Sequence, residues 1–200
     1  MKIVVLRKGA ASRELILAHA HTLASEKGLD SLTIGSLASA SGMSKSGVFA
    51  HFGSREELQL AVLDFGALEF TEEVILPALK EPRGLPRLLE VIKRWQARFR
   101  RLGDQSGCLL VSAMVEFDDR PGVIRDRAMH HQRRLREEIA FCANLAVQAG
   151  HLAAGCDCAQ LAFELFALTL VVQHDVKLYG VEPTLARGER AYTRLIQNYR

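Results

Sequence analysis

The sequence predicts an all-α protein, and three observations support this fold class. Apolar residues recur every three or four positions in segment after segment, which is the pattern of amphipathic helices. Alternation of apolar and polar residues with a period of two, the pattern of half-buried strands, is almost absent. Only 5 of the 200 residues are proline, so few positions interrupt a helix. We expect about nine helices and find no internal repeat or low-complexity tract.

A first helix is predicted over residues Ser12–Lys27. Its apolar residues cluster on one side, and Gly28 is placed to end it, since glycine readily adopts the left-handed conformation that is common after a helix. The side expected to be buried consists of Leu15, Ile16, Ala18, His19, Leu23 and Ala24.

Two very short helices are predicted next. Thr33 is placed to cap a helix over Ile34–Ser41, and Ser44 is placed to cap a second that ends near His51, because both side chains can accept a hydrogen bond from a free backbone N–H. Gly42 lies between them. We expect the position to require a small residue because two helices must cross closely there.

The segment Ser54-Arg55-Glu56-Glu57 predicts the start of a long helix. It has the pattern of a capping box, in which the serine and the glutamate three residues on satisfy each other's free backbone N–H groups. Pro77 cannot lie comfortably in a helix interior, so it ends the helix there or soon after. A fifth helix is predicted over residues 86–101. Its cations, Lys93, Arg94, Arg98 and Arg100, are expected on solvated faces.

The remaining segments complete a larger helical body. Residues 108–117 are apolar at eight of ten positions, which predicts a helix buried inside the domain. A regular stripe predicts a long helix over residues 123–148. Asp157 is placed to cap a helix over Cys158–Tyr179, and a last helix over residues 183–198 begins at a proline.

The composition describes a globular chain that does not cross a membrane. Hydrophobic residues make up 48% and charged residues 24%, which excludes a disordered tail protein and allows one large domain or one small and one medium domain. No stretch approaches the ~20 consecutive apolar residues that a membrane span needs. The N-terminus has only four apolar residues before Arg7, too few for a signal peptide, so a cytoplasmic protein is expected.

Charge and cysteine usage narrow the function further. The net charge is only +3, but residues 1–55 hold seven Lys or Arg against three Asp or Glu, so the positive field sits where it could meet a polyanion. The four cysteines lack the CxxC pairs of a zinc site, and Cys108 and Cys142 read as small buried hydrophobes. Cys156 and Cys158 are also predicted to be small buried hydrophobic residues, and a redox or metal-binding role is the alternative for them.

The N-terminal third carries the most specific motif. Two short helices joined by a tight glycine-containing turn are the outline of a helix-turn-helix DNA reader. The residues that carry it are Gly28-Leu29-Asp30-Ser31-Leu32-Thr33-Ile34, Leu37-Ala38, Ser41-Gly42-Met43-Ser44 and the run from Val48 to Leu58. This string closely resembles the DNA-binding domain of the TetR (tetracycline repressor) family of bacterial transcriptional regulators over about residues 12–62. Residues 107–109 and 116–122 look like a segment common in one of its subgroups.

The resemblance implies that the second short helix enters the major groove of DNA. Matched positions give the base-edge candidates Lys45, Ser46 and Gly47 and the phosphate-side candidates Thr33, Ser44, His51 and Arg55. Thr33 and Ser44 are alternatively only helix caps, and His51 is alternatively only a packing residue. The family usually has tyrosine where this chain has Phe49, so the hydroxyl offered to a phosphate is missing. Gly47 lowers helix propensity, which suggests that the backbone approaches DNA closely or that the helix forms fully only on binding.

The resemblance further divides the chain into a DNA-binding domain, residues 1–54, and an effector-binding and dimerisation domain, residues 55–200. Effector-pocket candidates, each alternatively a core residue, are Trp95, Phe99, Met114, Phe117, His131, Phe166 and Gln173. His131 lies on an apolar stripe and is either a hydrogen-bonded core residue or a pocket contact, since no second metal ligand stands at its i+4 position, Leu135. The residues expected to pair the last two helices with a partner, or alternatively to pack within the chain, are Leu161, Leu165, Leu168, Val172, Tyr192, Leu195 and Ile196.

These observations predict a homodimeric DNA-binding transcriptional regulator, a repressor that a small-molecule effector releases from its double-stranded operator, with no cofactor. An enzyme is not expected, because no GxSxG, P-loop, HExxH or dinucleotide fingerprint is present. The alternative is a helical small-molecule or lipid-binding protein that has lost DNA binding. A variant of the main prediction is a thiol sensor that uses Cys156 and Cys158.

Overall fold

The computed structural model describes residues 8–105 and 107–200, and the regular structure in these ranges is helical. The α-helices of eight or more residues in these ranges are α1 (Lys8–Lys27), α2 (Ile34–Ser41), α3 (Lys45–Phe52), α4 (Arg55–Phe70), α5 (Leu85–Leu102), α6 (Leu109–Glu116), α7 (Val123–Gln148), α8 (Cys158–Tyr179) and α9 (Val181–Gln197). The all-α prediction is confirmed. In the described ranges, no helix combines the length and the apolar character that a membrane span requires. Lys2 and Arg7, part of the basic N-terminus, lie outside the described residues.

Side-chain caps begin the two short helices, as predicted. The Oγ1 of Thr33 accepts a hydrogen bond from the backbone N–H of Ser36 at 2.9 Å, and the Oγ of Ser36 accepts one from the N–H of Thr33 at 3.0 Å. Ser44 caps α3 by accepting from the N–H of Gly47 at 3.1 Å. The expected close crossing of helices at Gly42 is wrong, because no described atom lies within 4 Å of a Cβ added there. The predicted turn at Gly42 is confirmed, because its φ of +68° ends α2 in the left-handed conformation that glycine permits.

The start of α4 has only half of the predicted capping box. The Oγ of Ser54 accepts from the N–H of Glu57 at 3.0 Å, but the N–H of Ser54 donates to the carbonyl of Phe52 at 2.8 Å rather than to the glutamate. Beyond Phe70 the helix continues through a π-helical turn at Thr71–Ile75 and ends at Ala78, directly after Pro77. The proline therefore marks the end of the helix, as expected.

Helix α1 begins at Lys8 instead of Ser12 and buries a different side from the one predicted. Leu15, Ala18 and His19 are exposed. The buried positions are Ile16, Leu17, Ala20, His21, Ala24 and Ser25. The prediction failed because α1 carries apolar residues on all of its sides. Periodicity alone therefore does not select the side that packs against α4.

Arg98 also departs from the sequence prediction, because it is buried rather than solvated. Only 4% of the residue is exposed, and its guanidinium pairs with Glu73 and, at 3.7 Å, with Glu69. Both carboxylates project from the end of α4 and its π-helical turn, and His21 of α1 approaches Glu69 at 3.2 Å. A buried charge needs such partners, so this cluster ties α1, α4 and α5 together.

Two hydrophobic cores share α6. Leu109, Ala113 and Phe117 belong to the core that also holds α1 to α4 and the start of α7. Cys108 and Val111 belong to the core of the C-terminal body. Because α6 lies between the two cores, it must be apolar on more than one side, which explains the uniform sequence of residues 108–117.

Helices α8 and α9 form an antiparallel pair within the chain. The hydroxyls of Thr169 and Tyr192 lie 2.9 Å apart, and the Tyr199 hydroxyl donates to Glu164 at 2.9 Å. An earlier residue of α8 therefore contacts a later residue of the C-terminal segment, as expected for antiparallel helices. Five of the residues predicted to pair with a partner are instead buried in the core of the C-terminal body. They are Leu161, Leu165, Val172, Tyr192 and Ile196. Leu168 and Leu195 are half-buried. Pairing with a second chain must therefore use other positions of these helices.

Candidate DNA-binding surface and effector cavities

The N-terminal end of α3 forms an exposed polar surface. Ser44, Lys45 and Ser46 are all exposed, and the Oγ atoms of the two serines lie 3.1 Å apart. The side chain of Lys45 extends towards α2: a Cβ added at Gly35 would lie 3.5 Å from the Lys45 Cε. A cation beside the N-terminus of a helix gives a surface that suits phosphate or base-edge oxygens.

Phe49 stands one helical turn after Lys45 and shares its face. The residue is 54% exposed, although it is a large aromatic. Thr33, the cap of α2, is exposed on the same part of the domain. Ser44, Lys45, Phe49 and Thr33 therefore form one candidate surface.

Gly47 is half-buried, and its surroundings differ from the open backbone that close approach to DNA suggests. A Cβ added there would lie 3.2 Å from the Oγ of Ser44 and 3.5 Å from the Cε of Met43. The glycine thus leaves space for the cap of its own helix. The structure has α3 as a continuous helix from Lys45 to Phe52.

His51 and Arg55 make their contacts within the protein. His51 is half-buried, packs against Phe52 with ring centroids 6.3 Å apart, and lines a cleft of about 670 Å³ between α1, α3 and α4. The Nε of Arg55 donates to the carbonyl of Leu32 at 2.9 Å, and its Nη2 reaches the carboxylate of Asp30. Both roles at phosphate stay predictions, and Arg55 must give up internal contacts to fill its role.

A polar junction connects the two parts of the chain at the turn of residues 118–122, which the family resemblance implies lies near the DNA-binding domain; its individual contacts were not predicted. The carboxylate of Glu116 accepts hydrogen bonds from the backbone N–H groups of Leu29 and Asp30, and Arg120 donates to Asp30 at 3.0 Å. Hydrogen bonding by Arg120, reinforced by Arg55, lowers the pKa of the Asp30 carboxyl. About 85 positions separate these partners, so no local pattern reports the contact.

The effector candidates of α5, α7 and α8 surround a nearly closed core. Trp95, His131 and Phe166 line a void of about 10 Å³, room for about one water molecule. Phe99 is buried beside Trp95, with ring centroids 6.5 Å apart. The Trp95 Nε1 is buried and has no hydrogen-bond partner among the described residues. The core thus offers one polar group but no space for an effector.

His131 is tied to α4. Its Nε2 lies 2.8 Å from the Oδ1 of Asp64, which also pairs with Arg127. Burial lowers the pKa of His131, and the neighbouring Asp64 carboxylate opposes the shift. The residue is therefore a hydrogen-bonded histidine at the edge of the core.

Gln173 holds the start of α6. Its Oε1 accepts from the N–H of Cys108 at 3.1 Å, and its Nε2 donates to the Oγ of Ser112 at 3.1 Å. The side chain is buried. These bonds, with a longer one from Nε2 to the carbonyl of Cys108 at 3.4 Å, hold the amide against the start of α6.

Met114 and Phe117 line open space between α6 and α7. A cleft of about 190 Å³ between α6 and α7 includes both residues, and a groove of about 340 Å³ between α7 and α8 continues from it. Met129 and Gln132 line both spaces. Gln132 also lines the small core void, so one side chain separates the groove from Trp95.

The cysteines are reduced and partly or fully buried. The Sγ atoms of Cys156 and Cys158 lie 4.0 Å apart, and desolvation together with the neighbouring Cys158 raises the pKa of Cys156 to about 11. Such a thiol stays protonated at neutral pH and therefore reacts poorly as a nucleophile. Among the described residues, no group of three or more His, Cys, Asp or Glu side chains is placed to hold a metal ion.

Comparison with known protein families assigns both parts of the chain. Residues 16–62 match the family described as bacterial regulatory proteins, tetR family. Residues 84–192 match the tetracyclin repressor-like C-terminal domain. The second match alone spans more than half of the 200 residues. No curated protein matches the sequence.

Solved structures share the fold over nearly the full chain. A TetR transcriptional regulator from Chloroflexus aurantiacus superposes with a TM-score of 0.85 and 24% identity, covering 96% of each chain. A TetR family regulator from Cytophaga hutchinsonii gives 0.83 and 17%, covering 97% of each. A TetR-family regulator from Streptomyces coelicolor gives 0.81 and 15%, covering 94% of this chain and 95% of its own. At these identities the likeness concerns the fold.

Proposed function

The chain belongs to the tetR family of bacterial regulatory proteins, and from this premise we propose that it is a homodimeric repressor released from its operator by a small-molecule effector. Family membership itself makes the chain a DNA-binding transcription regulator and not an enzyme. The proposal adds the direction of control, the dimer, the effector response and action in the cytoplasm, where the operator lies.

One observation supports the DNA-reading half most directly. Lys45 and Phe49 are exposed one turn apart on a helix of eight residues, which is anchored in the N-terminal core by the buried Val48 and Phe52. An exposed cation and an exposed aromatic ring on one helix face together suit a partner that offers both negative charge and apolar surface. DNA supplies phosphates for the cation and groove walls for the ring.

The test is fluorescence anisotropy with the duplex upstream of the protein's own gene and a scrambled duplex, over a salt series. We expect tight binding to the upstream duplex alone. Lys45→Ala should weaken that binding about ten-fold, whereas Lys80→Ala, a matched exposed lysine in the connection between α4 and α5, should not. Binding to neither duplex at low salt would favour the alternative of a small-molecule or lipid carrier.

The proposed dimer uses the outward side of α8. Val171 and Leu178 are more than half exposed, and the half-buried Leu168 lies beside them. A dimer is required because the few contacts of one short reading helix give too little affinity for a specific site. A two-fold pairing through this side buries apolar surface that a single chain leaves in water.

The effector is proposed to bind in the cleft and groove along α7. Their combined space is in the range of small-molecule sites, whereas the closed core is not. Arg133 and Arg136 line the groove, and the guanidinium of Arg136 lies over the rings of Phe163 and Phe166 at 5.6 and 4.5 Å. Cations beside aromatic and alanine side chains favour an apolar molecule with an anionic group.

Trp95 is the only tryptophan of the chain, and one residue separates it from the groove, so its fluorescence can report binding. Decanoate should shift the emission and release the operator, whereas decylamine, of equal length and opposite charge, should do neither. Arg136→Gln should weaken the decanoate response, and Arg134→Gln, an exposed arginine outside the groove lining, should not. Equal responses to the two probes would contradict an anionic effector.

A further inference from the structure

We propose that Glu116, Arg120 and Asp30 form a latch that holds the DNA-reading helices in their operator-binding position, and that effector binding acts by opening it. The inference rests on the proposed effector response and names the contact that transmits it. We use "latch" for these three side chains together with the backbone N–H groups of Leu29 and Asp30.

Glu116 supplies the central contact. It is the last residue of α6, and its carboxylate accepts from the N–H of Leu29 at 2.8 Å and from the N–H of Asp30 at 2.7 Å. These N–H groups belong to the one-turn 3-10 helix Leu29–Ser31 between α1 and α2. The carboxylate thus caps a turn of the DNA-binding part from another part of the chain, where a negative charge meets free N–H groups.

The loop is shaped to receive this carboxylate. Gly28 has a φ of +88°, and a Cβ added there would lie 3.0 Å from the Oε1 of Glu116. Any side chain at this position would be strained in its backbone and would crowd the carboxylate. The glycine therefore serves the approach of Glu116 as well as the end of α1.

Asp30 joins the latch to both neighbouring elements. Its Oδ2 accepts from Arg120, in the connection between α6 and α7, and its Oδ1 accepts from Arg55, at the start of α4. Arg55 also holds the carbonyl of Leu32. One carboxylate thus links the loop before α2 to α4 on one side and to the end of α6 on the other.

The latch lies directly beside the proposed effector space. Met114, Phe117 and Asp118, on either side of Glu116 in sequence, line the cleft between α6 and α7. Phe117 also packs into the N-terminal core, and Arg120 lies over its ring at 5.5 Å. A molecule that enters the cleft and shifts the end of α6 changes the distances of both Glu116 hydrogen bonds.

The pair between Arg120 and Asp30 can open at little cost, whereas the part-buried N–H of Leu29 needs a water molecule in place of the Glu116 carboxylate. Asp30 and Arg120 are exposed, so water can replace their hydrogen bonds. The apolar contacts of α6 with the N-terminal core can persist when these few bonds break. In a dimer, the attachment of each reading head to its body sets the separation of the two reading helices, which must match half-sites one helical turn apart. A released head no longer holds that separation.

Glu116→Gln tests the latch, because the amide keeps the shape of the side chain but turns one acceptor into a donor that faces an N–H. Hydrogen exchange followed residue by residue should show the amides of Leu29 and Asp30 exchanging at least ten-fold faster, with the amides of α4 and α7 unchanged. Operator affinity should fall at least five-fold with the salt slope unchanged, since no phosphate contact is removed. Glu81→Gln, at an exposed acid between α4 and α5, is the matched control.

A second variant pair separates the latch from a general loss of stability. Arg120→Gln should reproduce the loss of affinity, and Arg120→Lys, which keeps the charge beside Asp30, should restore most of it. Unchanged exchange at Leu29 and Asp30, or faster exchange with unchanged operator affinity, would overturn the proposal. If the wild-type protein itself binds no operator, the proposed function fails and the regulatory role of the latch fails with it, while exchange still decides whether Glu116 protects the loop.

Discussion

Phe49 is the residue at which the reading surface departs from its family, which usually has tyrosine there. Its ring is already exposed on the face of Lys45, so a hydroxyl added to it needs no rearrangement of the core. The missing hydroxyl is therefore expected to reduce contact with DNA without affecting the fold of α3.

Phe49→Tyr is expected to tighten operator binding about five-fold, because one regained hydrogen bond to a phosphate is worth about 1 kcal/mol. Anisotropy titrations at one fixed salt concentration measure the change. Phe141→Tyr, at an exposed phenylalanine of α7, should leave the affinity unchanged. Equal or weaker binding by Phe49→Tyr would count against a phosphate near this ring.

His21 is a buried residue with a pH-dependent effect on stability. Desolvation, followed by the charges of Arg98 and Arg101, lowers its pKa from 6.5 to about 4, although the Glu69 carboxylate lies 3.2 Å from its Nδ1. Between these two values the unfolded chain binds a proton that the folded chain does not. The free energy of unfolding therefore rises with pH across this window and falls on acidification.

The contribution of His21 is roughly 3 kcal/mol, complete above pH 6.5 and absent below pH 4. Urea titrations of the wild type and of His21→Gln between pH 4 and pH 7 measure it. The variant should show a flatter dependence on pH, whereas His174→Gln, at an exposed histidine, should keep the wild-type dependence. Parallel curves for wild type and His21→Gln would contradict the lowered pKa.

At the scale of single elements, α3 shows two opposing demands at Gly47. Alanine in a helix interior is favoured over glycine by ~0.8–1 kcal/mol. The added methyl group, however, crowds the Oγ of Ser44 at 3.2 Å, and loss of that cap costs ~1 kcal/mol. The two effects are nearly equal and opposite, so folding stability alone does not explain the glycine.

Gly47→Ala should therefore change the free energy of unfolding by less than about 0.5 kcal/mol while weakening operator binding, because the cap at Ser44 and the contact surface are both altered. Chemical denaturation and anisotropy measure the two effects separately. In Gly35→Ala the added Cβ meets only ordinary contacts at 3.5 Å, so this variant should gain stability. A clear gain in stability for Gly47→Ala with unchanged binding would remove any role for this glycine in DNA recognition.

Helix α6 is the element that connects the two cores. Its N-terminal end is held by Gln173, its middle packs into both cores, and its last residue, Glu116, caps the loop before α2. A helix with such contacts transmits a displacement as a rigid unit, since packed cores resist continuous deformation. The ion pairs of the buried Arg98 with Glu69 and Glu73 fix α5 to α4. Helix α6, in contrast, borders the open cleft that it forms with α7.

At the scale of the whole molecule, the dimer depends on the outward side of α8. Val171→Asp and Leu178→Asp each place a charge in the proposed interface, where burial without a partner is costly, and should convert the dimer to a monomer. Light scattering coupled to size-exclusion chromatography gives the mass directly. Val115→Asp, at an exposed apolar residue of α6, should remain dimeric. A dimer that persists in both α8 variants would exclude this interface.

Loss of the dimer should carry through to DNA. A monomer presents one reading helix, so operator affinity should fall by at least a hundred-fold while weak, salt-sensitive binding persists. The monomeric variants also separate the latch from dimerisation, because exchange at Leu29 and Asp30 depends on contacts within one chain.

The helical class, most helix bounds and the helix-turn-helix motif could be predicted from the amino-acid sequence, because they depend on interactions between residues that are close in sequence. The capping residues Thr33 and Ser44 act on N–H groups three positions away, and Asp157 begins α8 where the pattern places it. Periodicity also found most of the buried stripe of α7, since one side of that helix is clearly more apolar than the others.

Tertiary structure alone decided which of several possible contacts form. It selected the buried side of α1, gave Arg98 carboxylate partners inside the protein, and placed most of the predicted pairing residues of α8 and α9 in the core of a single chain. It also closed the space around Trp95 and brought Glu116 to Leu29. These outcomes depend on groups that are distant in sequence, and their partners become neighbours only when the helices pack.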